Sequence, residues 1–365
     1  MKHLLLFFFF ITFSQGLLAH KYHFLVGTYT DTGISQGIYS YELIKKTGVI
    51  TQLSVVKGVS NPSYLCMAPN KKFVYSVNVS AEGSAANAFS FDASSGKLIL
   101  INRVFTNGKG PCFISCTSNH VFTANYGGGS LSVFGRNADG SLTELKQKIQ
   151  HEGSSINLDR QAEPHVHQVV ITKNNRFVLA NDLGMDNVTV YQYNSGANSE
   201  ILTPFDTLAV KPGSGPRHIA FNKKGNRAYL VQELDGTVSV LDFKNGQLKL
   251  LQETTLMLDP KQKAWAADIH LSPDGKFLYA TNRAPANSIT CFSVDKIGKL
   301  KFLTQVPTLG DGPRNFSISP DGKWLLVAHQ FTNNIVLFER NVKTGALTDT
   351  GQRIDVGAPV CLLFY

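Results

Sequence analysis

Two signatures are missing from the 365 residues, HExxH and a GxGxxG at a change from strand to helix, and the one GxSxG, Gly33-Ile34-Ser35-Gln36-Gly37, falls in a polar turn between apolar runs and not before a helix. The zincin site and the dinucleotide cradle are thereby removed from consideration, and Ser35 lacks the strand-to-helix turn that a serine-hydrolase elbow needs. Cysteine is scarce, with Cys66, Cys112, Cys116, Cys291 and Cys361 scattered and no repeated CxxC, so neither a zinc site nor a dense disulfide framework is indicated. Cys112 and Cys116 fall on one short strand and the others in apolar runs. Buried thiols are therefore expected, and an oxidising compartment would allow one disulfide. Runs of basic residues are missing too. The formal charge is +9, but the lysines and arginines are spread singly, without the stripe or patch that nucleic-acid binding needs. A solvated basic surface or a small anionic ligand remains. Helical periodicity between the apolar runs is also absent, which argues against a parallel α/β sheet.

Long apolar runs are lacking except at the start. Met1-Lys2-His3 is followed by an apolar stretch over 4–13 and then by Gly16-Leu17-Leu18-Ala19. These are the charged, apolar and small-residue parts of a secretory signal, so 1–19 is expected to be cleaved after Ala19, leaving a domain over 20–365. A stretch of 10 residues is too short for a spanning helix of about 20. The expectation is a periplasmic or secreted protein with no membrane attachment after cleavage.

What the chain does have is turns, with 31 Gly and 14 Pro, and a repeat. The unit is a Pro with polar neighbours, an apolar strand, a polar turn, and a second strand with a polar end. Pro216-Arg217-His218-Ile219-Ala220-Phe221 leads through a turn at Gly225 to a strand ending at Gln232-Glu233. Ala266-Ala267-Asp268-Ile269-His270-Leu271 leads through Ser272-Pro273-Asp274-Gly275 to a strand ending at Asn282-Arg283. Pro313-Arg314-Asn315-Phe316 and Val166-His167-Gln168-Val169 open two further copies. Equivalent slots are Pro62, Pro111, Val166, Pro216, Ala266, Pro313 and Pro359, spaced by 46 to 55 residues, which is the length of a four-stranded blade. The seventh copy runs off the end of the chain. Apolar segments at 22–28, 37–43 and 49–56 supply its missing strands. The predicted fold is thus an all-β, seven-bladed propeller closed by N-terminal strands pairing with the C-terminal one, a closure that protects sheet edges.

Because the first two strands of each copy form a hairpin, residues equidistant from its turn lie side by side at the open end. That pairs Arg217 with Glu233, Asp268 with Arg283, His167 with Asp182, and Arg314 with His329 and Gln330; Asn125, Tyr126, Asn78, Thr28 and Tyr29 fall at matching ends. With the hairpins innermost, these ends gather on one rim of the central channel. Alternation puts Asp268 and His270 on one strand face. Each group alone is accounted for by local turn bonding or, for Asp268 and Arg283, by a structural ion pair. Together, several fixed cations with a His or Glu base suit anion binding and water activation.

At these residues the sequence resembles the lactonase family of seven-bladed propellers, which includes 6-phosphogluconolactonases and the fungal carboxy-muconate cyclising enzymes. The matching segments are Val26-Gly27-Thr28-Tyr29-Thr30, Pro164-His165-Val166-His167-Gln168, Gly215-Pro216-Arg217-His218, Gln232-Glu233-Leu234, Trp265-Ala266-Ala267-Asp268-Ile269-His270 and Pro313-Arg314-Asn315-Phe316. The resemblance implies metal-independent, cofactor-free hydrolysis of a sugar lactone, with the family's His-Arg-Glu-Arg cluster on His165 or His167, Arg217, Glu233 and Arg283. Alignment of the turns favours His167. Glu233 or His167 is then the general base, Arg217 and Arg283 hold the oxyanion and the acid, and Arg314 with His218 binds a phosphate or hydroxyls. His165, Asp268, His270, Asn125 and Gln330 complete the expected substrate contacts. An export signal sits awkwardly with a cytoplasmic sugar phosphate, so phosphorylated and unphosphorylated lactones both fit. A non-catalytic carbohydrate- or protein-binding propeller and a muconate-type lactonising enzyme are the alternatives.

Overall fold

The computed structural model describes residues 21–259 and 261–365; the expected signal over 1–19 lies outside the described residues. Seven antiparallel sheets of four strands make the fold. The innermost strands touch one another in a closed cycle, with Leu65–Met67 packed against Pro359–Phe364 to complete it. Closure is as the truncated seventh copy requires. Pro359–Phe364 pairs with Lys21–Thr28, which continues into Gly37–Ile44 and Ile50–Lys57 as one blade.

Burial follows strand position. The second strand of a blade, such as Phe177–Asp182 or Trp324–His329, is buried throughout, because blades cover both of its faces. The outermost strand alternates, as in Leu142–Gln150, with one face to solvent. Between neighbouring blades the apolar faces form separate clusters. Phe24, Val26 and Tyr41 of the closing blade meet Trp324, Leu326 and Leu337 of the preceding one. Each such side chain contributes roughly 1.5–3 kcal/mol by leaving water. Blades are also joined by tyrosines: the Tyr279 hydroxyl donates to the Gly345 carbonyl at 2.6 Å. Gly345 has φ +79°, and a Cβ there would sit 2.5 Å from the Phe277 ring, so only glycine lets the turn come this close.

One irregularity recurs and sets up the site. In the innermost strands Val166 pairs with Asp182 and Gln168 with Asn181, leaving His167 out of the ladder. Arg217, Arg314 and Cys112 are skipped in the same way. A bulged residue is unpaired and its side chain is re-aimed. In these four blades the repeat therefore turns one side chain toward the channel mouth.

The residue after the bulge does something different. Gln168 Oε1 accepts from the Ile219 amide at 2.7 Å, His218 Nδ1 lies 2.8 Å from Asp268 Oδ1, and Asn315 donates to Asp268 Oδ2 at 2.5 Å while accepting from the Leu362 amide at 2.7 Å. Neighbouring innermost strands share no backbone ladder. This belt of side chains stitches them together one level below the bulges.

Candidate active site

A cavity of about 380 Å³ opens at the channel mouth, within the ordinary range for small-molecule sites. Its walls include Glu233, Arg283, His167, Arg314, Cys112, Tyr29 and Trp265, with Arg160 and Asp31 nearer the rim. Arg217 and His218 line a smaller recess directly beneath, which shares His167 and Arg314 with the main cavity.

Glu233 is the hub. It follows the strand Arg227–Gln232, and its Oε2 accepts from Arg217 Nε and pairs with Arg283 Nη2, both at 2.8 Å, while Oε1 accepts from Arg160 Nη2 at 2.6 Å. Burial alone would raise this carboxyl. The Arg283, Arg217 and Arg160 guanidiniums overrule it and hold Glu233 well below the usual carboxylate range. Arg217 Nη1 also donates to the Ala267 carbonyl at 2.5 Å, and Arg283 donates to the Trp265 and Ala266 carbonyls at 3.1 and 3.3 Å while lying 4.2 Å over the Trp265 ring. Both cations are thereby rigid, each with an amino nitrogen lacking a partner among the described residues, Nη2 of Arg217 and Nη1 of Arg283.

His167 sits beside them, with Nδ1 3.8 Å from the Cys112 sulfur. Burial, and then the charges of Arg217, His218, Arg314 and Arg283, keep its pKa well below the usual value, so the ring is neutral near pH 7. Burial pushes the Cys112 thiol up to about 12, which makes it a packing group and not a nucleophile. Arg314 stands apart from the carboxylate hub. Its guanidinium donates to Gln330 Oε1 at 3.3 Å and lies 5.5 Å from the Tyr29 ring, with no carboxylate partner among the described residues. Nor do three of His, Cys, Asp and Glu gather as a metal-ligand group among those residues.

Several sequence expectations are corrected. Asp268 does not pair with Arg283: its oxygens lie 2.8 Å from His218 Nδ1 and 2.8 Å from His270 Nε2, because the strand pairing shifts between Ala266 and Ile269 and turns Asp268 sideways into the belt. His218 is held neutral, its pKa pushed down to about 4 by burial and Arg217 against the pull of Asp268. His270 lines neither the cavity nor the recess, and its side chain is 40% exposed. Asp182 does not reach His167; it meets His151 Nδ1 at 2.7 Å and caps the amides of His165, Gly184 and Met185. His165 stacks on Tyr126, ring centroids 4.4 Å apart, and does not line the cavity. Asn125 is fully buried and donates to Ser130 and Ser132, inside its blade and away from the cavity.

Arg160 and Asp31 went unnoticed in the sequence. Arg160 lies on the one-turn helix Leu158–Gln161, within the link 151–165. A usable signal existed: the spacing from Pro111 to Val166 is the widest of the seven, so this link has residues to spare.

Residues 23–364 match the family model described as Lactonase, 7-bladed beta-propeller. A 6-phosphogluconolactonase of Formosa agariphila is 38% identical over 348 residues, covering 93% of this chain and 98% of its own; one from Bacillus subtilis is 34% identical, covering 94% and 98%. Among solved structures, a putative 6-phosphogluconolactonase from Bacteroides fragilis superposes with TM-score 0.91 at 42% identity, covering 94% of this chain and 98% of its own. A periplasmic gluconolactonase from Pseudomonas aeruginosa does so with TM-score 0.90 at 36% identity, covering 94% and 99%.

Proposed function

The chain belongs to the seven-bladed β-propeller lactonase family, and we propose that it hydrolyses the ring ester of a sugar lactone to the open-chain acid. The observation that carries this reading is the pairing pattern in the cavity: three guanidiniums share Glu233, while Arg314 has no carboxylate of its own and is open to an anionic or hydroxyl-rich substrate. In hydrolysis, negative charge develops on the carbonyl oxygen as water attacks. The free N–H groups of Arg217 and Arg283 suit that oxyanion, and donors fixed in place before reaction stabilise it without reorganising. Two groups are suited to accept the proton of the attacking water, the neutral His167 imidazole and the Glu233 carboxylate. Arg314 holds the far end of the substrate, with His218 in the recess below.

The relatives' names support both phosphorylated and unphosphorylated gluconolactones as substrate classes. The apolar stretch over 4–13 and the likeness to a periplasmic gluconolactonase support export with cleavage after Ala19. Two measurements test the reading. Purified protein should accelerate acid release from D-glucono-1,5-lactone or its 6-phosphate above the spontaneous rate; binding without acceleration would sink the enzyme and leave a carbohydrate-binding propeller. N-terminal sequencing of the exported form should begin at His20, and an uncleaved Met1 would refute the signal.

A further inference from the structure

The two oxygens of Glu233 are held very differently. Oε2 is shared by Arg217 and Arg283, whose side chains are each 2% exposed and are tied to backbone carbonyls, Arg217 to Ala267 of the next blade and Arg283 to Ala266 of its own. Oε1 is held by Arg160 alone. Arg160 is 35% exposed and, among the described residues, has no backbone acceptor and one other bond, from Nη2 to the Tyr126 hydroxyl at 3.3 Å. The link beneath it is firmly pinned, by His151 to Asp182 at 2.7 Å, Ser155 to Asp186 at 2.5 Å and Gln161 to the Leu183 carbonyl at 2.8 Å. Any movement at this point belongs to the Arg160 side chain and not to its backbone.

Arg160 also faces the same cavity as Arg314. An anionic group seated against Arg314 would lie in a space where Arg160 is the one other guanidinium not anchored to the protein backbone. A phosphate offers several acceptor oxygens, and guanidinium binds them in bidentate fashion as readily as it binds a carboxylate.

We propose that Arg160 is a substrate-sensing guanidinium: the anionic group of the lactone draws it off Oε1 of Glu233, and the freed oxygen then takes the proton of the attacking water. The proposal rests on the lactonase reading of the cavity and decides between its two proton acceptors. While three guanidiniums surround it, Glu233 is a poor base. With Arg160 withdrawn, Oε1 keeps a lone pair toward the cavity, and the carboxylate retains Arg217 and Arg283 on its other oxygen. The water oxygen bonds to the lactone carbonyl carbon as its proton passes to Oε1. The bond from that carbon to the ring oxygen then breaks, the proton moves from Oε1 to the ring oxygen to make the alcohol, and the acid ionises into solvent. Arg160 returns to Oε1 when the product leaves.

The charged and titratable groups facing Glu233 are Arg217 from the innermost strand of its own blade, Arg283 from the next blade, Arg160 and Tyr126 from the preceding side, and Arg314, Cys112, His167, Tyr29 and Asp31 elsewhere around the cavity. Of these, Arg160 alone combines contact with Glu233, a third of its surface exposed, and no backbone tether.

The test compares kcat/KM for D-glucono-1,5-lactone and for its 6-phosphate in wild type, Arg160→Ala and Arg160→Lys, across pH. Arg160→Ala is expected to lose the preference for the phosphorylated lactone by about 10- to 100-fold, the worth of one charge-assisted hydrogen bond. Hydrolysis of the neutral lactone should change less than that of the phosphorylated one, with its acid limb moved to higher pH, because removing a cation raises the proton affinity of Glu233. Arg160→Lys should keep part of the preference, and it carries the same test if the alanine variant does not fold. Equal losses on both lactones with an unmoved acid limb would overturn the proposal while leaving the lactonase intact. A wild-type protein that accelerates neither lactone would overturn the lactonase reading itself, and this proposal with it.

Discussion

Arg217 and Arg283, from neighbouring blades, both address a single oxygen of Glu233, at 2.8 Å each. The site is thus also a joint between blades, and loss of the carboxylate should be felt in stability as well as in chemistry. Breaking a buried ion pair by removing one partner costs about 3–5 kcal/mol. Glu233→Gln is expected to lower the urea midpoint by a corresponding amount and to reduce lactone turnover by at least ~100-fold. A variant with wild-type stability would show that the three guanidiniums do not depend on Glu233.

Arg217→Ala should behave differently. Glu233 keeps Arg160 and Arg283, so the fold should survive, with an unchanged far-ultraviolet spectrum. Turnover should fall at least ~100-fold, the scale seen when an oxyanion donor is removed. Unchanged turnover would dismiss Arg217 from the site.

Acid should destabilise the protein before its carboxylates titrate. His218 is held down to about 4 by burial, and His329 likewise to about 4. Neither His329 ring nitrogen has a partner among the described residues. An unfolded chain binds these protons below its ordinary histidine pKa of about 6.5, whereas the folded one resists them until about 4, so stability rises with pH across that window. Each such histidine contributes on the order of 3 kcal/mol above pH 6.5 that is lost as pH falls to 4. Urea melts at pH 7, 5.5 and 4.5 should show a falling midpoint; a flat profile would mean that His218 and His329 are already charged in the fold.

Asp182 holds His151 and caps the amides of His165, Gly184 and Met185, thereby fixing both ends of the link that bears Arg160. Asp182→Ala should lower lactone kcat/KM by about tenfold or more, in line with the sensitivity of catalysis to misplacement of about 1 Å. Undiminished kcat/KM would separate this anchor from the site.

Removal of residues 359–365 deletes the innermost strand of the closing blade. It exposes one edge of Lys21–Thr28 and uncovers Leu65 and Val74, which pack with Cys361. Loss of the cooperative thermal transition is expected; a truncated chain that still melts in one sharp step would contradict ring closure as the source of stability.

Much of the architecture could be read from sequence because blades are local. Each hairpin is set by a turn such as Ser272-Pro273-Asp274-Gly275 and by apolar alternation beside it, so seven spaced copies and a truncated last one imply the ring and its closure. Contact between Arg217 and Glu233 was legible for the same reason, since both lie at the tip of one hairpin. Contacts between blades were not. Arg283 and Asp268 lie at the tip of the same hairpin, yet the first reaches back to Glu233 and the second reaches sideways to His218, because the pairing shifts between Ala266 and Ile269 and leaves Asp268 out of the ladder. Arg160 lies 73 residues from Glu233 along the chain, on a link with no repeat counterpart. Amino-acid order determined the strands, their turns and the count of seven, all interactions among near neighbours. The choice of which charges meet across the channel belonged to the tertiary structure, since it depends on the angle at which separate blades present their bulges to a shared axis.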